Sequence, residues 1–358
     1  MTFKLLIIII SQGLVKAVQR ELNHFFSILQ GGSYDIQEVT KGALTQARAK
    51  LKHTAFIEMN QAVLPDFYNA APYERWQGHR LLAIDGSIIN LPDHPSVVYE
   101  FGIHDVGCKA AVKRSMATVS ICYDVLNLLT LDARLDKFTT SEPALLHEHL
   151  DQVSIQSSDI LLLDRGYPSV ALFYELMHRG IGFCIRVRNN WNVVIDMLAA
   201  GQLDKEVSFR LPVACRDLVG KHNGQSDTVT CRLVVVCSDN GEKSVLCTSL
   251  LDRGCYPTAV FKELYHYRWG AEEAYKLLKC RIGIEVFSGK TAEAVRQDFH
   301  AKIFMMTMMV ILSFPITQKL KSEDNGNSQR KHKRQIIPDQ CAGTAAQWMD
   351  CFMDQTKN

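Results

Sequence analysis

The sequence has 358 residues, of which 47% are hydrophobic, so the composition predicts a soluble globular protein with a large buried core. Its 40 Lys and Arg against 38 Asp and Glu give a formal charge of +2, which excludes a strongly basic DNA-binding domain and requires any phosphate-binding surface to be local. The eleven cysteines are odd in number and form no CxxC pair, which favours reduced, buried thiols in a cytosolic protein over zinc sites or disulfides.

Residues 1–75 have the apolar spacing of helices. The spacing occurs in GLVKAVQRELNHFFSIL, in KGALTQARAKL after Thr40, and in FIEMNQAVL. The apolar run from Leu5 to Ile10 is short and has no cleavage site after it, so it predicts a core helix or strand rather than a signal peptide. This part of the chain is therefore predicted to be a small helical N-terminal module.

Residues 76–188 change to short strands. Three consecutive antiparallel strands are predicted, the first in LLAID with SIINLP, the second in MATVSICYDV and the third in LLTLDARL. A helix capped by Ser141 follows, then a buried strand that ends at Asp164, a helix over 169–178 and a strand in IGFCIRVR. His147 and His149 are predicted to be surface residues of the first helix. This order predicts an α/β fold, a ribonuclease-H-like mixed sheet flanked by helices.

Residues 189–256 are predicted to be a β-rich insertion in that core. Strands are expected in VSFRL, TVTCRLVVVC and SVLCTSLL, with a hairpin turn at 239–241. Pro257 suits a first helical position, and the helix that it starts is predicted to run to about Ile282. Residues 257–318 would then complete the core.

The C-terminal part of the chain holds an apolar run and a polar tail. The run over 303–314 is shorter than the roughly 20 residues that cross a bilayer, so it predicts a buried helix and no membrane partner. Residues 319–358 are polar and basic, which is typical of a solvated tail. The RKHKR segment at 330–334 is equally consistent with a sequence-independent phosphate contact.

The predicted helix after Pro257 carries a polar stripe. At about 100° per residue, Tyr265, Arg268, Glu272 and Lys279 fall within about 60° of one another. A hydroxyl, a guanidinium, a carboxylate and an ammonium on one face suit a row of phosphates with a metal ion beside it. The alternative is a solvated helix face, on which Arg268 and Glu272 form an ordinary i,i+4 pair.

Two further carboxylates end predicted strands. Asp85 follows LLAI and Asp164 follows LLL, and either alone is typical of a turn. Together with Glu272 they would repel one another unless cations neutralised them, which indicates Mg²⁺ or Mn²⁺. Two such ions would activate a water or a 3′-hydroxyl and stabilise the leaving oxygen in phosphoryl transfer.

These residues resemble the signature blocks of DDE transposases of the insertion-sequence-four group. The blocks are Asp85-Gly86, Asp164-x-Gly166-Tyr167 and Tyr265-x2-Arg268-x3-Glu272-x6-Lys279. The last block, the YREK signature, is the specific one. The resemblance covers residues 40 to 315 and includes a β-rich insertion at the same place.

The resemblance implies a bacterial, cytoplasmic transposase with a ribonuclease-H-like core. Its catalytic residues and ligands for two Mg²⁺ or Mn²⁺ ions would be Asp85, Asp164 and Glu272. Its ligands for transposon-end phosphates would be Tyr265, Arg268 and Lys279. The implied partners are double-stranded DNA, as inverted-repeat ends and target, and a second copy of the chain, because synapsis of two ends requires at least a dimer.

Several alternatives remain open at the level of sequence. One is a metal-dependent nuclease without strand transfer, and another is a non-catalytic DNA-binding remnant of a transposase. The N-terminal module resembles the family's DNA-end-binding region but is short. Some members stack a flipped base on an aromatic residue of the insertion, for which Trp191 is a candidate and a packed indole is the alternative.

Overall fold

The computed structural model describes residues 2–13, 17–29, 37–106, 112–222, 224, 226–238 and 240–325. Asp239 of the predicted hairpin turn and the basic segment 330–334 lie outside these ranges, as does most of the predicted tail.

A large mixed sheet organises the described part of the chain. Its strands and those of a small ribbon are β1 (Arg80–Asn90), β2 (His104–Val106), β3 (Val112–Arg114), β4 (Met116–Asp124), β5 (Leu129–Lys137), β6 (Asp159–Leu163), β7 (Gly182–Val187), β8 (Asp204–Arg210), β9 (Thr228–Cys237) and β10 (Lys243–Thr248). The large sheet has the order β5-β4-β1-β6-β7-β10-β9-β8, and β2 pairs with β3. Strands β1, β4 and β5 are antiparallel, whereas β6 and β7 run parallel to β1. The predicted ribonuclease-H-like mixed sheet is confirmed.

Helices cover both faces of this sheet. They are α1 (Phe3–Ser11), α2 (Val18–Leu29), α3 (Lys41–Arg48), α4 (Thr54–Ala70), α5 (Pro95–Phe101), α6 (Glu142–Gln152), α7 (Val170–His178), α8 (Asn192–Ala199), α9 (Asp217–Lys221), α10 (Val260–His266), α11 (Trp269–Cys280) and α12 (Ala292–Asn325). The hydroxyls of Thr40, Ser141 and Ser169 each accept a hydrogen bond from the backbone N–H three residues on, so they cap α3, α6 and α7. The local capping signals in the sequence therefore set where these helices begin.

The β-rich segment of 189–256 continues the large sheet. Strand β10 pairs antiparallel with β7, and β9 and β8 extend the sheet beyond it. Successive residues of β9 enter opposite cores, since Leu233 packs on one face and Val234 on the other. Because both faces are covered, β9 has the near-continuous apolar sequence of a fully buried strand.

Side-chain alternation in β1 separates the two cores. Leu81 and Ala83 belong to the core that α10, α11 and the first half of α12 cover. Leu82 and Ile84 belong to the opposite core, which α6, α7 and α8 cover. A side chain two residues beyond Ala83 therefore lies on the α11 side of the sheet.

Helix α12 contains the predicted buried helix over 303–314. By length and composition alone, Ala292–Glu323 could cross a membrane, and it is the one such helix in the described ranges. Its side chains Phe299, Ile303 and Met306 lie in the core of the sheet, and the helix also contacts α1, α4 and β5. Its apolar surface thus has partners within the fold.

The N-terminal helices dock on α12 through an apolar cluster and a buried ion pair. The run from Leu5 to Ile10 was predicted to be a core helix or a core strand, and it forms the helix α1. This helix packs in an apolar cluster separate from the two cores of the sheet. Arg48 of α3 is 6% exposed and donates to Asp298 at 2.7 Å and to Gln297 at 2.5 Å. A buried charge needs such partners, so these contacts fix the module on the core.

Candidate active site

Asp85 and Asp164 lie side by side on neighbouring strands. The parallel register of β1 and β6 pairs Ala83 with Leu162, so Asp85 lies two residues later within β1 and Asp164 lies directly after the end of β6. The prediction that Asp85 ends a strand is wrong, because β1 continues through Gly86 to Asn90 in its pairing with β4. Ala83 and Leu162 both enter the core under α11, so alternation places both carboxylates on that same side. Neighbouring strands are about 4.8 Å apart, which brings the two aspartates within reach of one ligand.

The two aspartates line a polar cleft of about 690 Å³. Its lining residues are Asp85, Glu142, Asp164, Arg165, Gly166, Arg186, Val187, Arg188, Asn189 and Asn190. The lining therefore carries both acidic and basic side chains. A cleft with both signs of charge is suited to a phosphodiester with a cation beside it.

The charge of Asp85 is held at an energetic cost. Burial is the main cause that raises the pKa of Asp85 to about 6; the charges of Glu142 and Glu272 act in the same direction, and the Gly86 N–H and Arg268 oppose the shift. The Gly86 N–H donates to Asp85 Oδ1 at 3.0 Å. A cation bound beside the ionised carboxylate would lower this energetic cost.

The sequence predicted one unbroken helix from Pro257 to Ile282. The continuity of that helix is wrong, because the structure divides it into α10 and α11. The break is at Tyr267 and Arg268, where the backbone N–H groups of Arg268 and Ala271 bond to carbonyls three residues back. This is a 3₁₀ turn, which advances about 120° per residue instead of about 100°. Tyr265 therefore lies on α10, and the other three residues of the stripe belong to α11 or its start.

The stripe still faces the sheet rather than solvent. The side chain of Arg268 is 12% exposed and that of Glu272 is 37% exposed, whereas Glu273 and Lys276 are each 63% exposed. Glu273 and Lys276 pair with each other at 2.6 Å and form the solvated face of α11. The solvated-face interpretation therefore applies to that pair and not to the stripe.

Contacts tie the stripe to the strands of the site. The Tyr265 hydroxyl donates to Asp164 Oδ1 at 3.2 Å. Arg268 Nη2 donates to Glu272 Oε1 at 2.6 Å, and Lys279 Nζ donates to the Ile88 carbonyl of β1 at 2.9 Å. Each member of the stripe thus has a partner in place.

The donors in the cleft match a hard divalent cation, but the predicted carboxylate triad is not assembled. Asp85 and Asp164 share the cleft, and Glu272 lies near enough for its charge to act on Asp85, yet its carboxylate is bound to Arg268. Across the described ranges, no three acidic, His or Cys side chains are grouped as ligands of one ion. Carboxylate oxygens are nevertheless the ligands that Mg²⁺ and Mn²⁺ prefer.

Glu142 is the cleft residue that the sequence interpretation missed. It lies in the first turn of α6, directly after the cap Ser141, where an acidic residue is also typical of a helix start. That local explanation concealed it, because nothing in the sequence shows which strands the start of α6 approaches.

His149 is buried, so the prediction that it is a surface residue is wrong. Its Nδ1 lies 2.7 Å from Asp132 Oδ2 and its Nε2 lies 2.9 Å from Ser120 Oγ. His149 and Ser120 are 0% exposed and Asp132 is 5% exposed, which excludes access for a substrate. The network instead binds α6 to β4 and β5.

Tyr275 joins the helix of Glu272 to the strand of Asp85. Its hydroxyl donates to the Asp85 carbonyl at 2.9 Å and lies 3.2 Å from the Val119 carbonyl. Ser120 Oγ donates to the same Asp85 carbonyl at 3.3 Å. Tyr275 thus fixes the distance between α11 and β1.

Replacing Tyr275 by phenylalanine should lower the free energy of unfolding by about 1 kcal/mol, because one buried hydrogen bond is lost while Ser120 still serves the Asp85 carbonyl. Urea unfolding measures the change. Tyr267→Phe is the matched control, since its hydroxyl donates to Glu263 in an exposed pair. Equal stability of the Tyr275 variant and the wild type would contradict this role.

Trp191 is packed against other aromatic rings. It lies before α8, with its ring 5.9 Å from Phe209 and 6.0 Å from Phe173. This is the arrangement that the packed-indole alternative predicts.

The sheet order, with two aspartates on adjacent parallel strands and a glutamate on the covering helix, defines a ribonuclease-H-like domain. A family model described as a transposase DDE domain matches residues 76–309. The match spans well over half of the sequence, and the chain belongs to this family. The predicted resemblance to DDE transposases is confirmed, and proteins of this family use divalent metal ions.

Among curated relatives, the chain is 27% identical over 243 residues to the transposase InsG for insertion sequence element IS4 of Escherichia coli (strain K12). The alignment covers 67% of this chain and 53% of InsG, so the chain spans about half the length of that relative. Among solved structures, it is similar to a chain of a piggyBac transposase synaptic complex with hairpin DNA. That similarity has a TM-score of 0.44 at 10% identity, over 75% of this chain and 51% of the other.

Proposed function

We propose that the protein is a DNA transposase of a bacterial insertion sequence. It cleaves phosphodiesters at the ends of the element and joins the freed 3′ ends to target DNA. The observation that supports this proposal is the cleft that Asp85 and Asp164, on adjacent parallel strands, line together with Arg165, Arg186 and Arg188. Acidic ligands for a cation and basic donors for a phosphate are the parts that metal-assisted phosphoryl transfer needs.

Asp85, Asp164 and Glu272 are proposed to hold two Mg²⁺ or Mn²⁺ ions. The bound ions supply Lewis-acid chemistry, activating a water or a 3′-hydroxyl and stabilising the leaving oxygen. Glu272 leaves Arg268 to take this role, and the freed guanidinium of Arg268 then turns to the DNA. The exchange keeps each charge paired before and after binding.

Tyr265, Arg268 and Lys279 are proposed to contact phosphates of the transposon end. Arg268 supports this role because its buried Nε has no hydrogen-bond partner among the described residues. A buried donor without a partner costs about 1–3 kcal/mol, and a phosphate oxygen would relieve that cost. The Tyr265 hydroxyl donates to Asp164, which lines the cleft.

Lys279→Ala should weaken binding to end DNA and reduce the slope of log K against log[salt] by about 0.9, because one phosphate contact is lost. Fluorescence anisotropy at several salt concentrations measures the slope. Lys276→Ala is the matched control on the same helix, since Lys276 lies on the solvated face with Glu273. An unchanged slope for the Lys279 variant would remove it from the phosphate-binding set.

The partners follow from the reaction. They are double-stranded DNA, as inverted-repeat ends and as target, and a second copy of the chain in the complex that holds two ends together. The helices of residues 1–75 are proposed to help bind the ends, and the site of action is the bacterial cytoplasm at the nucleoid.

The proposal is tested by incubating the protein with the inverted repeats that flank its gene, in Mg²⁺, and sizing the products. Joined molecules are the expected result. Nicked or hydrolysed DNA without joined products would indicate a nuclease instead. Binding to the ends without any cleavage would indicate a non-catalytic remnant.

A further inference from the structure

Glu142 adds a third carboxylate to the lining of the cleft. It is half-buried in the first turn of α6 and lines the cleft together with Asp85 and Asp164. Burial raises the pKa of Glu142, and the charge of Asp164 raises it further. No Lys, Arg or His within the described ranges forms an ion pair with it, although Arg165, Arg186 and Arg188 line the same cleft.

The glycine after Asp85 makes room for this carboxylate. A Cβ atom built on Gly86 would lie 2.5 Å from Glu142 Oε1, so a side chain there would displace the carboxylate. Gly166 lies two residues after Asp164 and borders the other oxygen, since a Cβ atom built on it would lie 3.6 Å from Oε2, an ordinary contact distance. The backbone of β1 beside Asp85 therefore forms a cradle for Glu142, which a side chain at 86 would fill.

A buried hydroxyl faces the same place without a partner. Tyr167 is 3% exposed, and its hydroxyl has no hydrogen-bond partner among the described residues. Burial raises the pKa of Tyr167, and the charges of Glu142, Asp85 and Asp164 raise it further, so the hydroxyl stays a proton donor among three carboxylates. The hydroxyl lies near enough to Glu142 to oppose the rise in the pKa of that carboxyl, although no hydrogen bond of normal geometry joins the two side chains.

The packing of α6 on the sheet fixes the position of Glu142. The buried contact of His149 with Asp132 and Ser120 holds α6 on β4 and β5. Ser120 also donates to the Asp85 carbonyl, so one network positions both α6 and the strand of Asp85. An acidic side chain held this firmly beside two others is destabilising unless a cation joins them.

We propose that Glu142 is a further carboxylate ligand of the divalent ion at the Asp85–Asp164 cleft, and that Tyr167 is a positioning residue that donates a hydrogen bond to it. This inference rests on the proposed function. The cradle and the unpartnered hydroxyl support this role for Glu142. A glutamate that served only to start α6 would need neither of them. Unlike Glu272, Glu142 can turn to an ion at the two aspartates without leaving an arginine.

The experiment measures Mn²⁺ binding to the purified full chain without DNA. Electron paramagnetic resonance counts free Mn²⁺, and the rise in melting temperature on adding Mn²⁺ gives an independent readout. Glu142→Gln should raise the dissociation constant by more than about tenfold, and Tyr167→Phe by up to about tenfold. Glu148→Gln, on the same helix and 46% exposed, should bind Mn²⁺ like the wild type.

The outcomes separate this inference from the proposed function. If the wild type binds Mn²⁺ and Asp85→Asn loses it while Glu142→Gln keeps it, the role of Glu142 is wrong and the metal site stands. If the wild type binds no Mn²⁺, the metal site of the proposed function is wrong and this inference fails with it. Should Glu142→Gln not fold, Glu142→Asp keeps the charge but shortens the reach, and an unchanged affinity there also overturns the inference.

Discussion

Glu272→Gln should abolish Mg²⁺-dependent cleavage of element-end DNA while leaving DNA binding nearly intact. Glutamine keeps the shape of the side chain but removes the charge that a hard divalent ion requires. We expect the cleavage rate to fall at least about a hundredfold, because the ion supplies several kcal/mol of transition-state stabilisation. Single-turnover cleavage of labelled end DNA gives the rate, and anisotropy gives the affinity.

The neighbour Glu273 provides the control. Glu273→Gln makes the same chemical change on the solvated face of α11, beside Lys276, and should leave both rate and affinity unchanged. In Glu272→Gln the guanidinium of Arg268 loses its ionic partner, so end DNA should bind as tightly as before or slightly tighter. Retained cleavage would remove Glu272 from the metal ligands.

The sheet and the two aspartates were predictable because their signals are local. Apolar runs with β-branched residues define β1 and β6, and an aspartate follows each run, although β1 continues beyond Asp85 and only Asp164 lies after a strand end. Because β1 and β6 are parallel neighbours that pair Ala83 with Leu162, Asp85 and Asp164 had to lie close together once the order was right.

The break between α10 and α11 was not predictable from apolar spacing. A 3₁₀ turn at Tyr267 and Arg268 changes the angle per residue without changing which residues are apolar. The stripe survives because Ala271, Tyr275 and Leu278 of α11 pack on the sheet and turn Glu272 toward β1.

The roles of His149 and Glu142 were hidden for a different reason. Both lie on α6, whose sequence is consistent with an ordinary amphipathic helix that starts after Ser141. Only the packing of α6 on β4 and β5 buries His149 on Asp132 and brings Glu142 to the glycines after the aspartates. Such contacts join residues far apart in the chain, and no local pattern contains them.

The same crowding of carboxylates predicts a conflict between stability and activity at Asp85. Asp85→Asn should abolish cleavage and yet stabilise the metal-free protein at pH 8 by about 1–3 kcal/mol, since a shift of one pKa unit corresponds to about 1.36 kcal/mol and the group is partly exposed. Asparagine retains an oxygen for the hydrogen bond from the Gly86 N–H. What it removes is a desolvated charge beside Glu142 and Glu272.

The sign of the pH dependence follows from the direction of the shift. The pKa of Asp85 is about 6 in the folded protein, against 3.8 as the ordinary value, so the folded state binds the proton more tightly than the unfolded state. The wild type therefore loses stability relative to the variant as pH rises from about 4 to about 6, and the difference stays constant above that range. Well below pH 4, where Asp85 is protonated in both the folded and the unfolded state, the two proteins should be equally stable.

Urea unfolding in EDTA across this pH range measures the effect, with Asp196→Asn, on the exposed side of α8, as the control for a generic loss of charge. Adding Mg²⁺ should then narrow or reverse the difference, because only the wild type keeps the Asp85 carboxylate for the ion, and an ion that binds the folded state stabilises it. A variant less stable than the wild type in EDTA at pH 8 would contradict this account of Asp85. If the substitution stabilises the protein and abolishes cleavage, the Asp85 carboxylate serves catalysis and lowers the free energy of unfolding.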